Sequence, residues 1–241
     1  KIIYCRVSEL AASFEAMPED LSPYLQPGVT VQSTDDSVVA FTRRAIGSET
    51  DSIGQIRRLY YAVRDSIRYD PYQIDLSVEG LCARRTLEQG HGWCVSKAIL
   101  LAAGCRAIGV PANLGYADVK NHLSTKKLRQ QMNSDIFYWH GYTSIHINGR
   151  WLKATPAFNL ELCEKFKIKP LDFNGREDSI YHPFDLEGNR HMEYINDRGH
   201  YVEPPIEEIR STFQTEYTGK VAGEQAIISD FDADSELENR I

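Results

Sequence analysis

The chain has 241 residues, a hydrophobic share of 42%, a charged share of 25% and a formal net charge of -7. That length suffices for a sizeable core in one large or two small domains, and no linker forces a split. The acidic balance excludes a general nucleic-acid binder, and no apolar run approaches the roughly 18 residues of a membrane span, so a soluble protein is expected.

Short basic clusters such as Lys126-Lys127 with Arg129 read as solvated faces. The five cysteines, Cys5, Cys82, Cys94, Cys105 and Cys163, are scattered and form no C-x-x-C pair. Neither a disulfide framework nor a zinc site is therefore expected. Reduced thiols, together with an N-terminus lacking a signal-peptide apolar region, point to the cytoplasm.

The first fifty residues form a polar lead-in punctuated by Pro18, Pro23, Pro27 and Gly28, with a helix predicted over 37–45 after the Asp35-Asp36 turn. From Ser52 to Arg68 the residues Ile53, Ile56, Leu59, Tyr60, Val63 and Ile67 recur at helical spacing until Pro71 turns the chain. Residues 73–92 connect, with a short helical turn near 86–90. The run from Cys94 to Ile108 is apolar around most of its circumference, which predicts a helix buried on nearly all sides. It stops at Gly109-Val110-Pro111.

A strand is predicted over 113–119 and a loop or short helix over 120–134. Ile136–Ile147 and Arg150–Thr155 are strand-like runs joined by Asn148-Gly149, a strong hairpin signal. Beyond Pro156 periodicity is weak until a helix beginning near Pro205. The last dozen residues carry Asp230, Asp232, Asp234, Glu236 and Glu238 against one arginine and read as a solvated tail. One domain is expected over 1–225, its core about 50–160, followed by the acidic tail at 226–241.

The stretch Gly90-His91-Gly92-Trp93-Cys94 delivers a cysteine to the first turn of the buried helix. Free amides and the helix dipole there favour thiolate, so rapid alkylation of Cys94 by iodoacetamide below pH 7, slowed in His140→Ala, is expected. The two-residue turn pairs Ile147 with Arg150, Ile145 with Leu152 and Tyr142 with Thr155. Alternation then puts His140 on one face with Tyr138, Tyr142 and Thr155, the last roughly 7 Å away on the diagonal. His146 lies about 20 Å along the strand from His140 and belongs to no common site.

The run Gly92-Trp93-Cys94 into Ala98-Ile99-Leu100-Leu101-Ala102, then Cys105 to Ala112, then His140 and Asn148-Gly149-Arg150-Trp151 resembles the core of the transglutaminase-like superfamily over roughly residues 50–160. The resemblance implies an α+β, papain-like fold with the cysteine helix packed on an antiparallel sheet. It makes Cys94 the nucleophile and His140 the general base. The family's third residue, an aspartate before proline, falls on Thr155, a departure that weakens any ion pair with the imidazole. Asn159 is an alternative orienter, with Asp172 and Asp185 more remote. The Cys94 amide supplies the oxyanion donor, while Trp93, Tyr69 and Tyr138 serve that site or the cleft wall.

The expected activity is cysteine-dependent amide hydrolysis or acyl transfer on peptide or protein substrates through an acyl-thioester. The alternative is a module of the same fold, impaired in catalysis, that binds a peptide or partner protein. No phosphate-binding glycine loop or dinucleotide fingerprint appears, so no cofactor is expected. The group His182, Asp185, His191, Glu193 and Asp197 lacks regular ligand spacing, so no metal is expected either.

Overall fold

Several helices begin where the sequence supplies a capping oxygen. In the computed structural model, which describes residues 19–121, 125–180, 186–188, 191–217, 231 and 233–234, Asp35 accepts from the amides of Ser37 and Val38 to start α1 (Asp36–Ile46). Asp51 accepts from Gly54 to start α2 (Ser52–Ser66). β1 (Arg68–Tyr69) follows, then α3 (Val78–Leu81) and α4 (Ala83–Gln89). Gly90, left-handed at φ 67°, ends α4 and leads into β2 (His91–Gly92), which pairs in parallel with β1.

α5 (Cys94–Ala107) is the central element, and every residue from Cys94 to Arg106 is buried. Burial of Leu100 or Leu101 alone stabilises by roughly 1.5–3 kcal/mol. The helix carries two buried basic side chains, each held by backbone carbonyls. Lys97 donates to the carbonyls of Arg64 and Ile67 at the end of α2, and burial lowers its amine to about 7. Arg106 donates to the carbonyls of Ala112, Gln26 and Val202.

The remaining elements are β3 (Ala112–Asn121), α6 (Lys126–Met132), β4 (Ile136–Ile147), β5 (Arg150–Ala154), α7 (Leu160–Lys165), β6 (Met192–Tyr201) and α8 (Ile206–Glu216). Four strands form an antiparallel sheet in the order β5-β4-β3-β6. The expected hairpin register is present, with Ile147 opposite Arg150 and Ile145 opposite Leu152. Asn148 and Gly149 both have positive φ, as a two-residue turn of this hand requires. Pairing ends at Thr143–Ala154, and the Thr155 amide donates instead to the Ser179 carbonyl.

Two features place the cysteine helix against the sheet. Thr143 Oγ1 donates to the Ala98 carbonyl at 2.8 Å. At Gly141 a Cβ would stand 3.0 Å from Val95 Cα, so glycine lets the strand approach the helix backbone without pushing it back. The mixed helices and antiparallel sheet are the α+β architecture expected.

β6 and α7 depart from the expected irregular region after Pro156. β6 is an edge strand whose residues 194–197 are exposed, so it lacks the apolar alternation by which strands are read. Phe231 corrects the solvated reading of the tail at that position, since its ring is buried with 3% exposure. Asp185, His182 and most of the tail lie outside the described residues.

Candidate active site

The parallel pair β1–β2 brings Tyr69 and Asp70 beside the entry to α5, with the Asp70 amide donating to the Gly92 carbonyl at 2.9 Å. Trp93 caps the helix in extended conformation, and Ser96 Oγ accepts from its amide at 3.1 Å. Cys94 thus occupies the first helical position, 6% exposed. The amides of Gly141, Val95 and Cys94 itself all act on its sulfur, and Gly141 directly follows His140. Helix and strand therefore meet beside the cysteine, where Gly141 faces the Val95 backbone.

The charge state corrects the expected thiolate. Burial pushes the Cys94 thiol up to about 11, and the three amides offset this only in part. Burial likewise lowers His140 to about 4, helped by the neighbouring His191. At neutral pH the pair is thiol and neutral imidazole, because an apolar surround penalises both ions. Rapid alkylation below pH 7 does not follow from this state.

Cys94 and His140 line one cavity of about 30 Å3 with Tyr69, Trp93, Tyr138 and Tyr217 among its walls. Such a volume holds about one water molecule. Burial first, and then the charge of Cys94, hold the hydroxyls of Tyr69 and Tyr116 well above the usual tyrosine range. Tyr217 is raised as well, chiefly by burial. All three keep their protons and can only donate or accept hydrogen bonds as neutral groups.

The other expected residues separate. Tyr138 reaches the cavity, but its hydroxyl donates to Glu216 at 3.0 Å. A bulge opposite Asp118, with Trp139 at φ 59°, breaks the alternation between Tyr138 and His140, so their shared face does not follow from spacing. Trp93 packs its ring 6.0 Å from that of Phe213 and forms cavity wall. His146 meets the Trp151 ring edge-on and does not line this cavity.

Neither close orienter serves the imidazole as expected. Thr155 Oγ1 is buried and has no hydrogen-bond partner among the described residues. Its carbonyl is used instead, accepting from Tyr60 at 3.0 Å. Asn159 does not continue the strand; it caps α7 and spends Oδ1 on the Tyr69 amide at 3.1 Å. Asp172 pairs with Arg64 at 3.2 Å, and its side chain is 67% exposed.

Three contributors escaped the sequence reading. Gly141 sat within a strand beside the histidine, a position where glycine signals close backbone approach. His191, stacked on Phe158 and electrostatically felt by His140, lies where no periodicity guides the eye. Tyr217 accepts from the Tyr138 amide at 2.8 Å just beyond α8.

A cysteine at the head of a buried helix, abutting a histidine strand of an antiparallel sheet, is the arrangement of a papain-like fold. Residues 39–156 match the model of the Transglutaminase-like superfamily, and this part of the chain belongs to that superfamily. No curated protein sequence matches the chain. Among solved structures, similarity is found to a candidate cysteine protease from Cytophaga hutchinsonii, with 17% identity over 77% of this chain and 55% of that one, TM-score 0.44. A candidate protease from Parabacteroides distasonis shares 12% identity over 56% of this chain and 26% of its own, TM-score 0.38. The arylamine N-acetyltransferase from Mycobacterium abscessus shares 12% over 55% and 46%, TM-score 0.39. The chain thus spans between about a quarter and about half of each of these solved chains. No described helix is long and apolar enough to cross a membrane.

Proposed function

We propose that the protein is a cysteine-dependent amide hydrolase or acyltransferase acting on peptide or protein substrates. The observation that carries this reading is that Cys94, at the head of α5, and His140 line one cavity where Gly141 brings the histidine strand against the helix backbone. Neutral His140 takes the thiol proton as sulfur attacks the carbonyl carbon, and the amine leaves with that proton. The resulting acyl-thioester passes to water or an amine. Amides at the helix head stabilise the charge that develops first on sulfur and then on the carbonyl oxygen, with Tyr69 as a further donor. Hydrolysis is preferred to cross-linking, because nothing in the sequence provides a calcium-controlled amine site.

The test is acid-quenched mass spectrometry of the chain mixed with activated acyl amides. An acyl adduct should form on Cys94, vanish in Cys94→Ala, and form at least about a hundredfold more slowly in His140→Ala. Equal turnover by Cys94→Ala defeats the proposal. A second reading, a binding module without turnover, is favoured by one observation, a Thr155 hydroxyl without a hydrogen-bond partner among the described residues, at the position where the family places a carboxylate. Saturable peptide binding with no adduct on Cys94 would select it.

A further inference from the structure

The cavity holding Cys94 does not end at Tyr69. Tyr69, Pro71, Asn121, Leu128, Phe137 and Phe158 also line a second chamber, whose remaining walls are Phe166, Ile168 and the ring of Phe231. That ring lies 5.1 Å from Tyr72 at 84°, 5.9 Å from Tyr69 at 70° and 6.1 Å from Phe166. Two of these contacts are edge-to-face, an arrangement that favours an aromatic ring over an aliphatic side chain of equal volume. Three residues on, Asp234 pairs with Lys127 of α6 at 3.3 Å. The same ammonium lies over the Tyr72 ring at 5.7 Å, so the ring pocket and the cation form one receptor.

We propose that this chamber is the side-chain subsite for peptide substrates, taking an aromatic residue followed three positions later by a carboxylate. In the present conformation the chain's own Phe231 ring, against Tyr69, Tyr72 and Phe166, and its Asp234, on Lys127, hold those two positions. The inference rests on the reading of Cys94 as an acyl-transfer nucleophile and supplies its substrate class. Tyr69 is the shared wall: one ring borders the sulfur's cavity and meets Phe231. A peptide whose aromatic ring takes the place of Phe231 lies against the same Tyr69 wall that borders the Cys94 cavity, and the intramolecular segment competes with it at high effective concentration.

The test uses the full chain as wild type, Phe231→Ala and Lys127→Glu, with a fluorescein-labelled peptide copying residues 228–236 and its Ala-for-Phe counterpart. In fluorescence anisotropy, the Phe peptide should bind Phe231→Ala at least about tenfold tighter than wild type, and about tenfold tighter than the Ala peptide does. It should also slow labelling of Cys94 by N-phenethyl iodoacetamide. Lys127 is on the surface, so Lys127→Glu is a variant that does not depend on replacing the buried ring. On its own it should quicken that labelling, and adding Asp234→Lys should restore the wild-type rate. Equal affinity for the two peptides, or binding that leaves labelling unchanged, overturns the subsite. Binding that blocks Cys94 while no amide is ever cleaved overturns the hydrolase reading and supports the subsite. Cleavage indifferent to the aromatic residue does the reverse.

Discussion

Asp118 accepts the backbone amide of Trp139 at 3.2 Å, one residue before His140. The same carboxylate accepts from Arg198 at 2.7 Å and Asn196 at 3.3 Å, and Arg198 lies 4.7 Å over the Trp139 ring. A buried acid thus holds open the bulge that turns the strand into the site. Asp118→Ala leaves an amide and a guanidinium without their acceptor and should cost about 2–4 kcal/mol in urea unfolding. A loss below about 1 kcal/mol would mean that the bulge holds itself.

Reactivity at Cys94 should follow a thiol near 11. Iodoacetamide alkylation, mapped by mass spectrometry to distinguish Cys94 from the other buried thiols, should rise about tenfold per pH unit between about pH 6 and 10. A plateau reached below about pH 8 would show instead a thiolate already formed at rest. Turnover of amides, which needs neutral His140 and protonated thiol, should be level over the same range.

His140 gives the fold an acid sensitivity. Its folded value of about 4 lies below the ordinary 6.5, so the unfolded chain binds the proton first as pH falls. Stability from this group is complete above about 6.5 and is lost as pH falls toward 4. Between pH 7 and about 4.5 the wild type should lose about 2–3 kcal/mol more than His140→Asn does, measured by chemical unfolding at both values. Parallel losses in the two proteins would remove His140 as the cause.

Thr155→Val probes the missing carboxylate directly. Because Oγ1 has no partner among the described residues, replacing it by a methyl should change stability by less than about 1 kcal/mol and leave amide turnover within about twofold. A tenfold fall in turnover with the fold intact would show that the hydroxyl orients the imidazole after all.

What could be read in advance was what local chemistry dictates. Asp35 announces a helix start, periodicity announces the helix after Ser52, Asn148-Gly149 fixes a register, and the unbroken apolar run after Cys94 announces a buried helix. β6 was not legible because its pairing depends on the free edge of β3, which accepts exposed residues such as Tyr194 and Asn196. At the site, glycines pointed to Cys94, but its charge state depends on walls supplied by residues far apart in sequence, from Tyr69 to Tyr217. Tyr138 does line the cavity with His140, but the bulge opposite Asp118, which arises only when β3 and β4 meet, means that alternation is not what brings it there.

Arg106 also links the order of events in folding to the finished structure. Its guanidinium closes contacts spanning 80 residues back to Gln26 and 96 forward to Val202, with Ala112 between. Detaching either distant segment strands a cation inside the protein. The lead-in and the end of the β6 region should therefore exchange their amide hydrogens together, as a single cooperative unit, although more than 170 residues of chain separate them.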